Sequence, residues 1–171
     1  SGGLDSFIGA INLLKEGVRP VFVGNYNGGK GVSVYQNKEI ASLTTYFLYD
    51  RRNFFQFYAS PMKSKENTTR SRSLMFFSHA ILWASGMGHQ VNLCIPENGV
   101  ISLNIPLTIH RAGSLSTRTT HPYYLGLLQT ILDNLGIQVK MYNPFQFKTK
   151  GEMILECKDW DFLKENLKWT M

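Results

Sequence analysis

Cysteine, proline, acidic residues and long apolar runs are all scarce in this chain. The two cysteines, Cys94 and Cys157, lie far apart. They form neither a C-x-x-C pair nor a disulfide framework, which points to a reducing compartment, the cytoplasm. No run approaches about 18 apolar residues, so no transmembrane helix is expected, and no basic-then-apolar leader stands at the front. Acids number 12 against 18 Lys and Arg, leaving a formal charge of +6 and a pI near 9.4. Such an excess calls for an anionic ligand, and a nucleotide meets it as readily as nucleic acid does.

What is plentiful is core-forming sequence. With 43% hydrophobic residues in 171, the chain suits one globular domain over residues 1–171. Leu4, Phe7, Ile8, Ile11 and Leu14 recur at i, i+3, i+4, i+7, predicting a helix that stops at Gly17. Val18 to Gly24 reads as a buried parallel strand. A helix over 37–49 and a strand over 53–58 follow, then a polar basic connection over 61–73 and a helix over 74–85 that is apolar on nearly all sides. A strand over 88–96 comes next. Pro122 opens a helix burying Leu125, Leu128, Ile131, Leu132 and Leu135 and ending at Gly136, and 137–142 is a strand. Thr149 and Glu152 form a capping box for a last helix. This alternation predicts an α/β fold: a doubly wound, mostly parallel sheet with helices on both faces.

Ser1-Gly2-Gly3-Leu4-Asp5-Ser6 stands directly before the first helical run. Adjacent glycines let the backbone turn its N–H groups toward an anion, and the helix mouth aims more of them at the same point. The Ser1 and Ser6 hydroxyls add donors. Asp5 would repel a bare phosphate but suits one that carries a divalent cation, so the loop reads as a cradle for pyrophosphate and its Mg²⁺. Gly24, Gly29 and Lys30 also spell G-x-x-x-x-G-K. The next residue is Gly31 where that loop needs Ser or Thr, so the stretch reads as a turn at the carboxyl edge of the sheet.

Carboxyl ends of parallel strands hold the ligands of open α/β folds, which makes Glu97 and Asn98 substrate-binding candidates. The hydroxyl-rich stretch 104–121 adds Arg111, Arg118 and His121, since loops of that length are usually functional or disordered. Arg70 and Arg72 sit at the entrance of a buried helix. Lys150 sits at a helix N-terminus, where a cation is unfavourable unless an anion lies nearby.

The S-G-G-x-D-S spelling resembles the PP-loop of the ATP pyrophosphatases. Together with Tyr35-Gln36-Asn37-Lys38-Glu39-Ile40, Ser71-Arg72-Ser73-Leu74-Met75-Phe76-Phe77-Ser78 and Thr149-Lys150-Gly151-Glu152, it resembles the 7-cyano-7-deazaguanine synthase (QueC) branch. Pro96-Glu97-Asn98-Gly99 and Ser116-Thr117-Arg118-Thr119-Thr120-His121-Pro122 look more like the QueC-like proteins of bacterial anti-phage clusters, the Qat type. The chain departs from the branch at Ser73, where the family has Asn, and over Ser114 to His121.

The resemblance implies ATP-dependent adenylation of a 7-carboxy-7-deazaguanine-like carboxylate, release of pyrophosphate, and amine attack. Asp5, Arg72 and Lys150 would be catalytic, Ser1 to Ser6 would hold ATP, and Asp5 would hold Mg²⁺. It further implies that a first strand precedes Ser1 and that a Zn²⁺-binding cysteine segment follows Met171, so the sequence reads as a fragment truncated at both ends. A partner protein is a possible acceptor. The alternatives are a tRNA-thiolating PP-loop enzyme and a catalytically altered nucleotide-binding protein of a defence system.

Overall fold

Four short strands pair two by two among the described residues, and both pairs are parallel. The computed structural model describes residues 3–26, 31–59, 72–103 and 120–170. The chain forms two compact units, Ser1–Pro61 with Gly151–Met171, and Met62–Lys150.

In the first unit, helix α1 (Leu4–Lys15) buries Phe7, Ile8, Ile11 and Leu14, the face its spacing predicts. It ends at Gly17, whose φ of +80° suits a residue without Cβ. Strand β1 (Phe22–Asn25) begins later than expected, because Pro20 has no N–H to give a ladder. Helix α2 (Val32–Tyr46) leads to strand β2 (Phe54–Phe57). It starts and stops earlier than the sequence predicts, as Gly31 (φ +57°) and Leu48 (φ +49°) turn left-handed on either side. The pair is clamped by rings: Phe22 stacks on Phe54 at 4.5 Å, and Tyr49 meets both edge-on.

Helices α6 (Lys150–Leu155) and α7 (Trp160–Asn166) close the chain. Asp159 ties α7 to α1 and α2. Its Oδ1 accepts from the Phe162 N–H (3.2 Å), capping α7, and its Oδ2 accepts from Lys15 Nζ (2.6 Å) and Tyr46 Oη (3.0 Å). Phe162 then packs against Phe7, Tyr46 and Phe47.

In the second unit, helix α3 (Arg72–Ser85), strand β3 (Val91–Cys94), the single-turn helix α4 (Gly99–Ser102), helix α5 (Pro122–Asn134) and strand β4 (Val139–Tyr142) follow in order. Ala84, Leu132 and Val139 form the core, with Ile81, Val91, Leu93, Ile137 and Met141 against it. Gln129 of α5 binds the β4 edge that faces away from β3. Its Nε2 donates to Val139 O and its Oε1 accepts from Met141 N, both at 2.9 Å.

That turn of α5 explains one departure. Ile131 and Leu135, expected inside, are 52% and 68% exposed. At about 100° per residue they lie roughly 200° and 240° around the helix from Gln129. The expectation that α3 is covered on both faces fails in the same way, with Leu74 and Leu82 exposed.

The mixed α/β character and the parallel pairing agree with the alternation. The described strands do not form a single sheet; they form two two-stranded sheets, one in each unit. Alternation specifies that neighbouring strands run parallel, not which strands share a ladder.

Candidate functional site

Gly3, Leu4, Asp5 and Ser6 are brought together at the mouth of α1. Gly3 is the N-cap, extended at φ −111°, and having no side chain it leaves the first N–H groups of the helix without a side-chain cap. Ser6 Oγ donates to Gly3 O at 3.0 Å, so in this structure the hydroxyl proton braces the turn. Asp5 lies in the first turn and is 8% exposed, where the helix dipole favours a negative charge. A single carboxylate here fits Mg²⁺, which takes most of its ligands from water and phosphate oxygens. Among the described residues, no three His, Cys, Asp or Glu side chains gather into an all-protein metal cage. Ser1 and Gly2 lie outside the described residues.

A second polar feature belongs to the same unit. The face that α2 buries carries Ser33, Gln36 and Glu39 (0%, 6% and 6% exposed) above Leu43. Gln36 lies over the sheet: its Oε1 accepts from Gln56 Nε2 at 3.4 Å, and its Nε2 is 3.8 Å from where a Cβ on Gly24 would stand. Glu39 Oε1 is buried without a hydrogen-bond partner. Burial pushes the Glu39 carboxyl up to about 7, because the charged form has lost its water. The predicted start of α2 at Asn37 left Ser33 and Gln36 outside the helix. Once the helix starts at Val32, the spacing 33, 36, 39/40, 43 marks a single face.

In the second unit, the carboxyl ends of β3 and β4 are laced by amides. Asn143 Oδ1 accepts from the N–H groups of Phe145 (2.9 Å) and Glu97 (3.3 Å), and its Nδ2 donates to Glu97 O (2.7 Å). Asn98, 2% exposed, caps α4 by accepting from Ile101 N at 3.1 Å. Gly99 approaches the 146–148 backbone so closely that a Cβ there would stand 2.5 Å from Gln146 O. Ser102 Oγ donates to Thr120 O at 2.6 Å, and the neighbouring His121 caps α5, its Nδ1 accepting from Tyr123 N at 3.2 Å. Asn98 and His121 are thus linked through α4, and each carries a structural duty.

The other candidates fall in different units or outside the described residues. Arg72 opens α3 and Lys150 opens α6, both within the second unit, whereas Asp5 belongs to the first. Arg70, Arg111, Arg118, Gly29 and Lys30 lie outside the described residues. No described helix is long and apolar enough to cross a membrane. Comparison with protein-family models, curated proteins and solved structures finds no match.

Proposed function

We infer that the protein adenylates a carboxylate with ATP, releases pyrophosphate, and passes the acyl group to an amine, in the manner of the 7-cyano-7-deazaguanine synthases. The observation that carries this reading is the helix mouth: Gly3 at the N-cap with a buried Asp5 in the first turn behind it. In this reading the α1 N–H groups would bind the pyrophosphate oxygens and Asp5 would hold a Mg²⁺, which would offset phosphate charge; the catalytic roles of Arg72 and Lys150 are proposed by the resemblance alone. By the resemblance, Glu97, Asn98, Arg111, Arg118 and His121 are the residues proposed to bind the carboxylate substrate, and Asn98 and His121 also cap helices. A Zn²⁺-binding segment and a partner-protein acceptor remain part of the proposal by resemblance.

The doubly wound sheet is part of the same proposal. What supports it is the parallel pairing within each sheet, β1 with β2 and β3 with β4. The thiolation alternative requires a reactive thiolate. Cys157 is buried and its thiol is pushed up by that burial, so that residue is poorly suited to supply it.

The test is pyrophosphate release from ATP by the full-length protein, supplied with a deazaguanine carboxylate. Asp5→Ala and Lys150→Ala should each lower the rate on the order of a hundredfold or more. Unchanged rates in both variants remove the assignment.

A further inference from the structure

Strands β3 and β4 alternate in a way that parallel strands seldom do. Parallel pairs are ordinarily covered on both faces and read as near-continuous apolar runs; β2, Phe54-Phe55-Gln56-Phe57, comes close to that pattern. Here the runs are Gln90-Val91-Asn92-Leu93-Cys94 and Gln138-Val139-Lys140-Met141-Tyr142, in register from Val91 with Val139 to Cys94 with Tyr142. Val91, Leu93, Val139 and Met141 turn to the core. Successive side chains point to opposite faces, so Gln90, Asn92, Gln138, Lys140 and Tyr142 share the other face, and all five are exposed.

The chemistry of this face selects its occupant. Three side-chain amides donate and accept, as base edges do; Tyr142 offers a ring for stacking and Lys140 a cation. Lys140 pairs with Asp133 at 3.0 Å, both about half exposed, and an exposed pair of that kind contributes little, so a phosphate can take its place. A hollow of about 340 Å³, whose lining includes Gln90, Gln138, Lys140 and Asp133, makes one end of the face concave. Charge points the same way. The unit Met62–Lys150 holds nine Lys and Arg against three acids, and the rest of the chain holds nine of each, so the whole excess of positive charge belongs to the unit that carries this face and draws anions to it. An anionic bilayer would be met by clustered lysines and inserted apolar side chains, which the face lacks.

We propose that the exposed face of β3 and β4 binds single-stranded nucleic acid, with a base stacked on Tyr142, phosphates drawn to Lys140, and base edges meeting Gln90, Asn92 and Gln138. Sheet faces whose rings stack unpaired bases are a recurring way of holding a single strand. A duplex keeps its base planes covered and offers such a face only its backbone. The inference does not depend on the adenylation reading.

The test is fluorescence anisotropy with the full-length protein at about 50 mM salt, where ionic contacts are strong, using a fluorescein-labelled RNA strand and the same strand annealed to its complement. The single strand should bind about tenfold more tightly than the duplex, the worth of one stacked base, and Tyr142→Ala should remove about that factor. Gln138→Glu, which puts a carboxylate on the face, should weaken binding several-fold. Lys164→Gln, at an exposed position of α7 in the first unit, changes the net charge by the same amount and should leave the affinity in place. All three positions are exposed, so the variants should melt with the parent. Equal affinity for strand and duplex, equal weakening by Gln138→Glu and Lys164→Gln, or binding to phosphatidylserine vesicles with none to the strand overturns the proposal.

Discussion

At the scale of single residues, the carboxyl of Glu39 makes the clearest prediction. Its pKa stands at about 7 in the folded chain against 4.5, so the native state holds the proton more tightly than the unfolded state does. Stability contributed by the neutral acid is complete below pH 4.5 and declines as pH rises to about 7. Glu39→Gln, which keeps the shape and cannot ionise, should therefore be more stable than the parent above pH 7, by up to about 3 kcal/mol. The two proteins should converge below pH 4. Urea titrations across that range measure the difference, and a constant offset would show that Glu39 is not held neutral. The residue was visible in the sequence only as part of a family-like string, because Ser, Gln and Glu on a helix read as a solvent face until packing shows otherwise.

Among the elements, the docking of α7 depends on Asp159. Burial alone would raise this carboxyl, but the donors Lys15, Phe162 N–H and Tyr46 outweigh it and hold it below the usual range. Its contribution is present above the unfolded value, about 3.9, and is lost as pH falls through the lower folded value. Asp159→Ala should cost at least about 1 kcal/mol through the lost cap alone. Asp159→Asn should keep the cap while removing the acid dependence, as thermal melts between pH 3 and 7 would report. The helices were legible because their apolar spacing and their Gly and Pro boundaries are local signals; Gly17, Pro122 and Gly136 fell where expected. Strand pairing was not, since four-residue ladders depend on distant partners. The two caps at Asn98 and His121 were legible as polar residues at element ends, but their duty emerged only with the N–H groups they receive.

For the molecule as a whole, the +6 charge predicts weak binding to RNA that is mainly ionic. If about six phosphates are contacted, affinity should fall on the order of a thousandfold between 50 and 200 mM salt. Fluorescence anisotropy with a labelled RNA checks this. Binding that survives the higher salt would favour a tRNA substrate over a free carboxylate. Gln129 has a further consequence at this scale. Exposed strand margins invite cross-chain zippering, and proteins commonly blunt them with lysine, proline or a bulge. Here a glutamine from a neighbouring helix takes up both backbone groups at the middle of β4, so strand-to-strand aggregation is obstructed along that border by a single amide.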